Sequence, residues 1–123
     1  MTTNLTLIVE NRPGALANVC DAMGRAGVNI EGICCFESQG IAIVHLAVEN
    51  VAAARREAEH IGLRVYEERP VAVIDLEDHP GAAAEALRRL ANAHINVDLA
   101  YLATRTRMVI GTSEVEKARA VLR

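Results

Sequence analysis

The residues best placed to do chemistry fall in two short stretches that echo one another. They are Glu10-Asn11-Arg12-Pro13-Gly14-Ala15 and Glu77-Asp78-His79-Pro80-Gly81-Ala82. In each, a polar run meets a Pro-Gly pair just before a segment with helical apolar spacing. The start of a helix leaves backbone N–H groups unpaired and carries a partial positive charge, which suits a carboxylate. Gly14 and Gly81 have no Cβ, so a ligand can come close to the backbone there. Asn11, and Asn29 further on, each offer a donor and an acceptor. They can bind an ammonium and a carboxylate together without carrying charge. The second stretch differs: Asp78 favours an ammonium but repels a carboxylate, and His79 stands where the first has Arg12. The two turns are therefore not equivalent sites. A plainer reading stands beside this one. Pro-Gly after a polar residue is often only a helix-start turn, and Asn29 and Asn96 can simply tolerate a left-handed backbone after a helix.

Periodicity supplies the elements that position these residues. Residues 5–9 are short and β-branched and read as a strand. Pro13 then opens a helix, because its missing N–H would be unpaired in a first turn anyway. Leu16, Val19, Met23 and Ala26 give that helix its apolar face, and Gly27 sits where a left-handed C-terminal residue is wanted. Residues 28–36 and 41–48 read as a hairpin around Ser38-Gln39-Gly40. Asn50 is a plausible N-cap for a helix with Val51, Ala54, Ala58 and Ile61 inward, closed by Gly62. Residues 63–66 form a fourth strand, and Arg69-Pro70 breaks the run. The pattern then restarts with a strand over 71–76 and a helix over 82–94, with Ala83, Leu87, Leu90 and Ala91 along one side. A strand over 95–102, a turn at Thr104-Arg105-Thr106 and a strand over 108–110 follow. Ser113 and Glu116 have capping-box spacing for a last helix that turns Val115, Ala118, Val121 and Leu122 inward.

The two halves register at one offset. Glu10 and Glu77, Pro13 and Pro80, Gly14 and Gly81, Asn29 and Asn96, and Ile43 and Ile110 all stand 67 residues apart. An offset that keeps both the turn and a distant Asn implies a duplicated unit. The expected domains are residues 1–69 and 70–123. The fold class is α+β: two β-α-β-β-α-β units, each an antiparallel sheet with strand order 4-1-3-2 and both helices on one face. By the same offset the second copy should lack its last strand. That leaves residues 71–74 as an apolar edge, which a strand from the first copy or from a second chain is expected to cover. A homodimer is expected.

A strand, Glu10-Asn11-Arg12-Pro13-Gly14-Ala15-Leu16, a helix, and Gly27-Val28-Asn29-Ile30 closely resemble the ACT domain family, small-molecule-sensing modules most often for amino acids. The resemblance covers nearly the whole chain as two tandem ferredoxin-like copies. It is nearest to the short stand-alone tandem ACT proteins of bacteria, which carry no catalytic domain. It implies an amino acid held between paired ACT units, with the first loop of one facing the start of the second strand of its neighbour. The implied ligand-binding residues are Asn11, Arg12, Pro13, Gly14, Ala15, Asn29 and Ile30 in the first copy. In the second they are Asp78, His79, Gly81, Asn96 and Val97. Asn11 and Asn29 match the ligand-contacting polar positions of serine-sensing ACT domains. Mixed sites would join Asn11 and Gly14 with Asn96, or Asp78 and Gly81 with Asn29. The implied function is non-catalytic control of a metabolic enzyme or transporter. The alternative is an interaction subunit like the acetolactate synthase small subunit, without an essential ligand of its own.

Composition narrows the other classes. Net charge is −3 and aromatics make up 2% of the 123 residues, so the basic stripe and stacking platforms of a nucleic-acid binder are not expected. No 18-residue apolar run suggests a membrane span, and no basic-then-apolar leader opens the chain. Three cysteines, two of them adjacent, fit reduced thiols in the cytoplasm, with Cys34 and Cys35 as buried structural groups. Neighbours on a strand point to opposite faces, so Cys34 and Cys35 do not converge on a metal. His45, His60, His79 and His94 show no ligand spacing. Neither a metal nor a cofactor is expected. An acylphosphatase-like enzyme would need a Gly-rich phosphate cradle, which the loop around Arg12 lacks, and no nucleophile–base pair is evident.

Overall fold

A computed structural model describes residues 1–123 and divides the chain into two compact units, Met1–Arg69 and Pro70–Arg123. The fold is α+β, with antiparallel strands and four helices.

The first unit runs β1 (Thr3–Glu10), α1 (Ala15–Arg25), β2 (Gly32–Ser38), β3 (Ile41–Val48), α2 (Val51–His60) and β4 (Arg64–Pro70). Its strands lie in the order β4-β1-β3-β2. β1 and β3 are thus central, as the duplicated pattern predicts. Thr3 faces Val48 and Glu10 faces Ile41, so the two strands pair along their whole length. The period of two sends Leu5, Leu7 and Val9 into one core with Val44, Leu46, Val19 and Met23. On the other face of these strands Asn4 Nδ2 donates to Thr6 Oγ1 at 3.0 Å, and Thr6 Oγ1 lies 3.0 Å from His45 Nδ1. The β2–β3 turn has both central residues at positive φ, Gln39 at 51° and Gly40 at 86°. That conformation matches the twist of a two-residue hairpin.

The second unit runs β5 (Ala72–Asp75), α3 (Ala82–Asn92), β6 (Leu99–Ala103), β7 (Arg107–Gly111) and α4 (Val115–Leu122), with strand order β6-β7-β5. Ala72, Leu90, Ile95, Met108, Ile110 and Ala118 form its core.

Several element boundaries differ from the sequence expectation. α1 begins at Ala15 and not at Pro13, because Gly14 adopts φ 86° and a left-handed residue cannot lie inside a right-handed helix. Leu16 is consequently exposed, and Ala15, Val19, Ala22 and Met23 form the buried stripe. β2 starts at Gly32 and β6 at Leu99, four residues later than expected in each case. Residues 28–31 and 95–98 bury Val28 and Ile95 but pair little with a neighbouring strand; Glu31 N–H reaches Ala47 O at 2.8 Å and Asp98 N–H reaches Gly111 O at 2.9 Å. The left-handed residues after α1, α2 and α3 are Gly27 (φ 70°), Gly62 (φ 82°) and His94 (φ 60°), and Asn29 and Asn96 are not among them. α3 therefore stops at Asn92. β4 continues through Arg69 to Pro70, where the sequence suggested a break. Cys35 is exposed and Cys20 and Cys34 are half-buried, so the thiols are not the buried core groups expected.

Helix starts differ between the copies. Asn50 Oδ1 accepts from Ala53 N–H at 3.1 Å, an N-cap as predicted. α4 has Glu114 at its N-cap with no side-chain bond; the hydroxyl of Thr112 instead accepts from Glu114 N–H at 3.2 Å. The Ser113–Glu116 capping box is therefore absent, and Glu116 pairs with Arg119. Asn50→Ala should cost about 1 kcal/mol by urea denaturation. Ser113→Ala should change stability by less than about 0.5 kcal/mol. A loss at Ser113 equal to that at Asn50 would restore the capping box.

Candidate functional site

The two Pro-Gly turns are copies in three dimensions as well as in sequence. Arg12 N–H bonds Glu10 O at 3.1 Å and His79 N–H bonds Glu77 O at 3.1 Å. Ala15 N–H meets Arg12 O at 3.2 Å, and Ala82 N–H meets His79 O at 3.3 Å. Gly14 and Gly81 have φ 86° and 92°, and a Cβ built on either would touch nothing within 4 Å. Glycine is needed there for its backbone conformation and not to clear space.

The cation in each turn closes on the glutamate two residues before it. Arg12 Nε donates to Glu10 Oε2 at 2.8 Å, and its Nη1 reaches Pro13 O at 3.4 Å. His79 Nε2 lies 2.9 Å from Glu77 Oε2, and its Nδ1 lies 2.9 Å from Pro80 O. The exchange of Arg for His thus keeps the clasp. Bonding to the Pro80 carbonyl, and then to Glu77, holds the His79 imidazole above its ordinary value.

A cavity of about 430 Å³ opens beside the first turn. Ile8, Val19, Ile61 and Leu63 give it an apolar floor. Glu10, Arg12, Asn18, Asp21, Arg25 and Arg64 give it a rim of both charges. Asn18, Asp21 and Arg25 come from α1 at helical spacing, beside its buried stripe. Arg64 opens β4, which lies next to β1. Arg64 also lines a second cavity of about 430 Å³ on the helix-free face, with Phe36, Ile43, His45 and Tyr66. There burial pushes the His45 imidazole down, Glu67 opposes that, and Arg69 adds to it.

Of the residues expected from sequence, Arg12 and Ala15 line the first cavity, and Asn11, Pro13 and Gly14 belong to the same exposed turn. Asn29 and Ile30 do not join them. They precede β2, whose first residue Gly32 pairs with Ala47 beside the start of β1, whereas Asn11 follows its end. The separation is the length of an eight-residue strand, roughly 24 Å. Asn29 Nδ2 donates to Glu31 Oε2 at 2.5 Å, and Ile30 packs on the core. The second unit repeats this division: Asp78, His79 and Gly81 lie on the β5–α3 turn, while Asn96 and Val97 precede β6 at the other end, with Val97 against the core. Asn18, Asp21, Arg25 and Arg64 were missed from sequence. A polar stripe beginning one turn after Pro-Gly was the available signal.

A β4-β1-β3-β2 sheet, two helices packed on its Leu5 face and a Pro-Gly turn between β1 and α1 define an ACT-type, ferredoxin-like unit. The first unit carries an ACT domain: residues 5–60 match the family model described as an AHAS small subunit-like ACT domain. Many solved structures share the fold, three of them as follows. A Bacteroides thetaiotaomicron protein matches with TM-score 0.83 and 24% identity, over 98% of this chain and 85% of that one. The regulatory subunit of aspartate kinase from Thermus thermophilus, in its ligand-free form, matches with TM-score 0.75 and 18% identity over 98% and 89%. The corresponding Thermus flavus subunit matches with TM-score 0.72 and 19% identity over 98% and 90%. No curated protein matches the chain in sequence.

The clasp of the second turn sets a pH dependence. Because the folded value of His79 is raised, its contribution is full below the ordinary value of 6.5 and fades as pH rises through the raised one. An NMR titration should place the His79 midpoint above 6.5, and Glu77→Gln should lower it. A midpoint at or below 6.5 in the unmodified protein would contradict the clasp.

Proposed function

We propose that the protein is a non-catalytic regulator that binds an amino acid at the β1–α1 turn of its first unit and thereby controls a metabolic enzyme. The observation that carries this reading is the cavity beside that turn, with an apolar floor and a rim of both charges. Its volume of about 430 Å³ suits a small molecule. Arg64 would take the carboxylate, and Asp21 and Asn18 the ammonium. Asn11, Arg12, Pro13, Gly14 and Ala15 would form the wall. The fold shared with aspartate kinase regulatory subunits supports a regulatory role and an enzyme partner.

Asn29 and Ile30 stand at the far end of their own sheet, as do Asn96 and Val97 of theirs. Their place in the proposal is to complete the ligand's shell from a second copy of the chain. A site finished by docking couples binding to assembly, because ligand then favours the docked state by its differential affinity. Asp78, His79 and Gly81 would form a second, chemically different turn, and 70–123 would be an ACT unit without its last strand. A reduced cytoplasmic setting fits the free thiols. The AHAS small subunit-like match favours one further reading, an interaction subunit of a biosynthetic enzyme with no essential ligand.

A thermal-shift screen of the twenty common amino acids at millimolar concentration separates the two readings. A ligand in 100-fold excess over Kd should add about 2.7 kcal/mol to stability. For a hit, Asp21→Asn and Arg64→Ala should each weaken affinity about tenfold by calorimetry. Asn29→Ala should weaken binding and dimerisation together. No shift with any amino acid would favour the interaction subunit.

A further inference from the structure

The two units share elements but differ at one edge. In the first, β4 lies along the outer edge of β1, with Leu63 and Val65 packed against the core. In the second, β5 takes the place of β1 and pairs with β7 alone. A groove of about 420 Å³ runs along its other edge, lined by β5, Ala86 and Arg89 of α3, and Arg119, Leu122 and Arg123. Such an edge offers unpaired backbone donors and acceptors to an incoming strand.

The first unit shows what chemistry fits there. Its α2 begins at Val51, buries Ala54 completely and places Arg55 next; α4 begins at Val115, buries Ala118 completely and places Arg119 next. Arg55 and Arg119 are therefore equivalent positions. Arg55 reaches across to β4, its Nη1 donating to Glu68 Oε1 at 2.5 Å. Arg119 instead donates through Nη2 to Val71 O at 2.8 Å, at the head of β5, and pairs with Glu116. Arg89 donates to Val121 O and Arg123 O, bringing a second guanidinium to the same groove. The groove thus has an apolar floor from Ala72, Ala86 and Leu122, and among its lining side chains three guanidiniums, one of them paired with Glu116, stand against the carboxylate of Asp75.

We propose that this groove is a strand-addition site. An extended segment of a partner protein pairs with the outer edge of β5, places two apolar residues two positions apart beneath α3 and α4, and meets Arg119 with an acidic residue three positions further on. Leu63, Val65 and Glu68 have that spacing in the first unit. Backbone pairing supplies affinity, and the alternating apolar side chains and the acid supply selectivity. The proposal is independent of the amino-acid reading, since it uses no ligand and none of the residues around the first turn.

The test uses the full chain and a fluorescent peptide of residues 62–70, Gly-Leu-Arg-Val-Tyr-Glu-Glu-Arg-Pro, read by anisotropy. Saturable binding is expected. A peptide with Glu68→Lys should bind the unaltered protein at least about fivefold more weakly, and Arg119→Glu should cost a similar factor with the natural peptide. Combining the two reversals should restore binding. Three results would overturn the proposal: no binding at millimolar peptide, binding indifferent to both reversals, or binding lost with Arg55→Glu but kept with Arg119→Glu. Self-association of the chain that the peptide disrupts would also overturn it, by assigning the groove to a second copy.

Discussion

Much of the first unit depends on one backbone constraint, the left-handed conformation of Gly14 at φ 86°. It ends the reach of β1 and fixes Ala15 as the first helical residue. That choice of start decides which side of α1 is buried. With Ala15 inward, Val19, Ala22 and Met23 follow it into the core, and Asn18, Asp21 and Arg25 are left along the cavity. One residue of shift would rotate the helix by about 100°, carrying the polar stripe away from the cavity. The site and the core are therefore set by the same torsion angle.

The second copy shows which parts of this arrangement are independent of side-chain chemistry. Gly81 repeats the torsion at φ 92°, and the turn's backbone bonds recur to about the same lengths. Asp78 and His79 have replaced Asn11 and Arg12 without disturbing it, because the clasp needs only a cation two residues after a glutamate. Backbone geometry has been held while the groups offered to a ligand have changed. The helix starts diverge further: Asn50 caps α2 with its own side chain, whereas α4 relies on Thr112.

The central strands, the hairpin at Gln39-Gly40, the Asn50 cap and the strand order of the first unit were legible, because each follows from local chemistry, a period of two or the order of the elements. Residues 28–31 and 95–98 were misread as strand for a definite reason. Val28 and Ile95 are buried like strand residues, but Val28 N–H returns to Met23 O at 2.9 Å and Ile95 N–H to Leu90 O at 3.0 Å. Their apolar character reports anchoring of a helix end and not pairing, and a single sequence does not distinguish the two. The capping box failed because Ser113-x-x-Glu116 is a spacing, and a spacing does not say which residue takes the cap. For the site, the turn was legible from its Pro-Gly pair. The contribution of Arg64 was not, since the strand order sets β4 beside β1 but does not say which of its side chains reach the cavity.

The central claim is that the first turn and the α1 stripe form one ligand site with the start of β4. Amide NMR spectra of the full chain, recorded with and without a mixture of the twenty common amino acids, test it most directly. The account predicts shifts concentrated at residues 8–25 and 61–64, the stretches that supply the cavity lining. Shifts confined to residues 78–82, or spectra unchanged by the mixture, would contradict it.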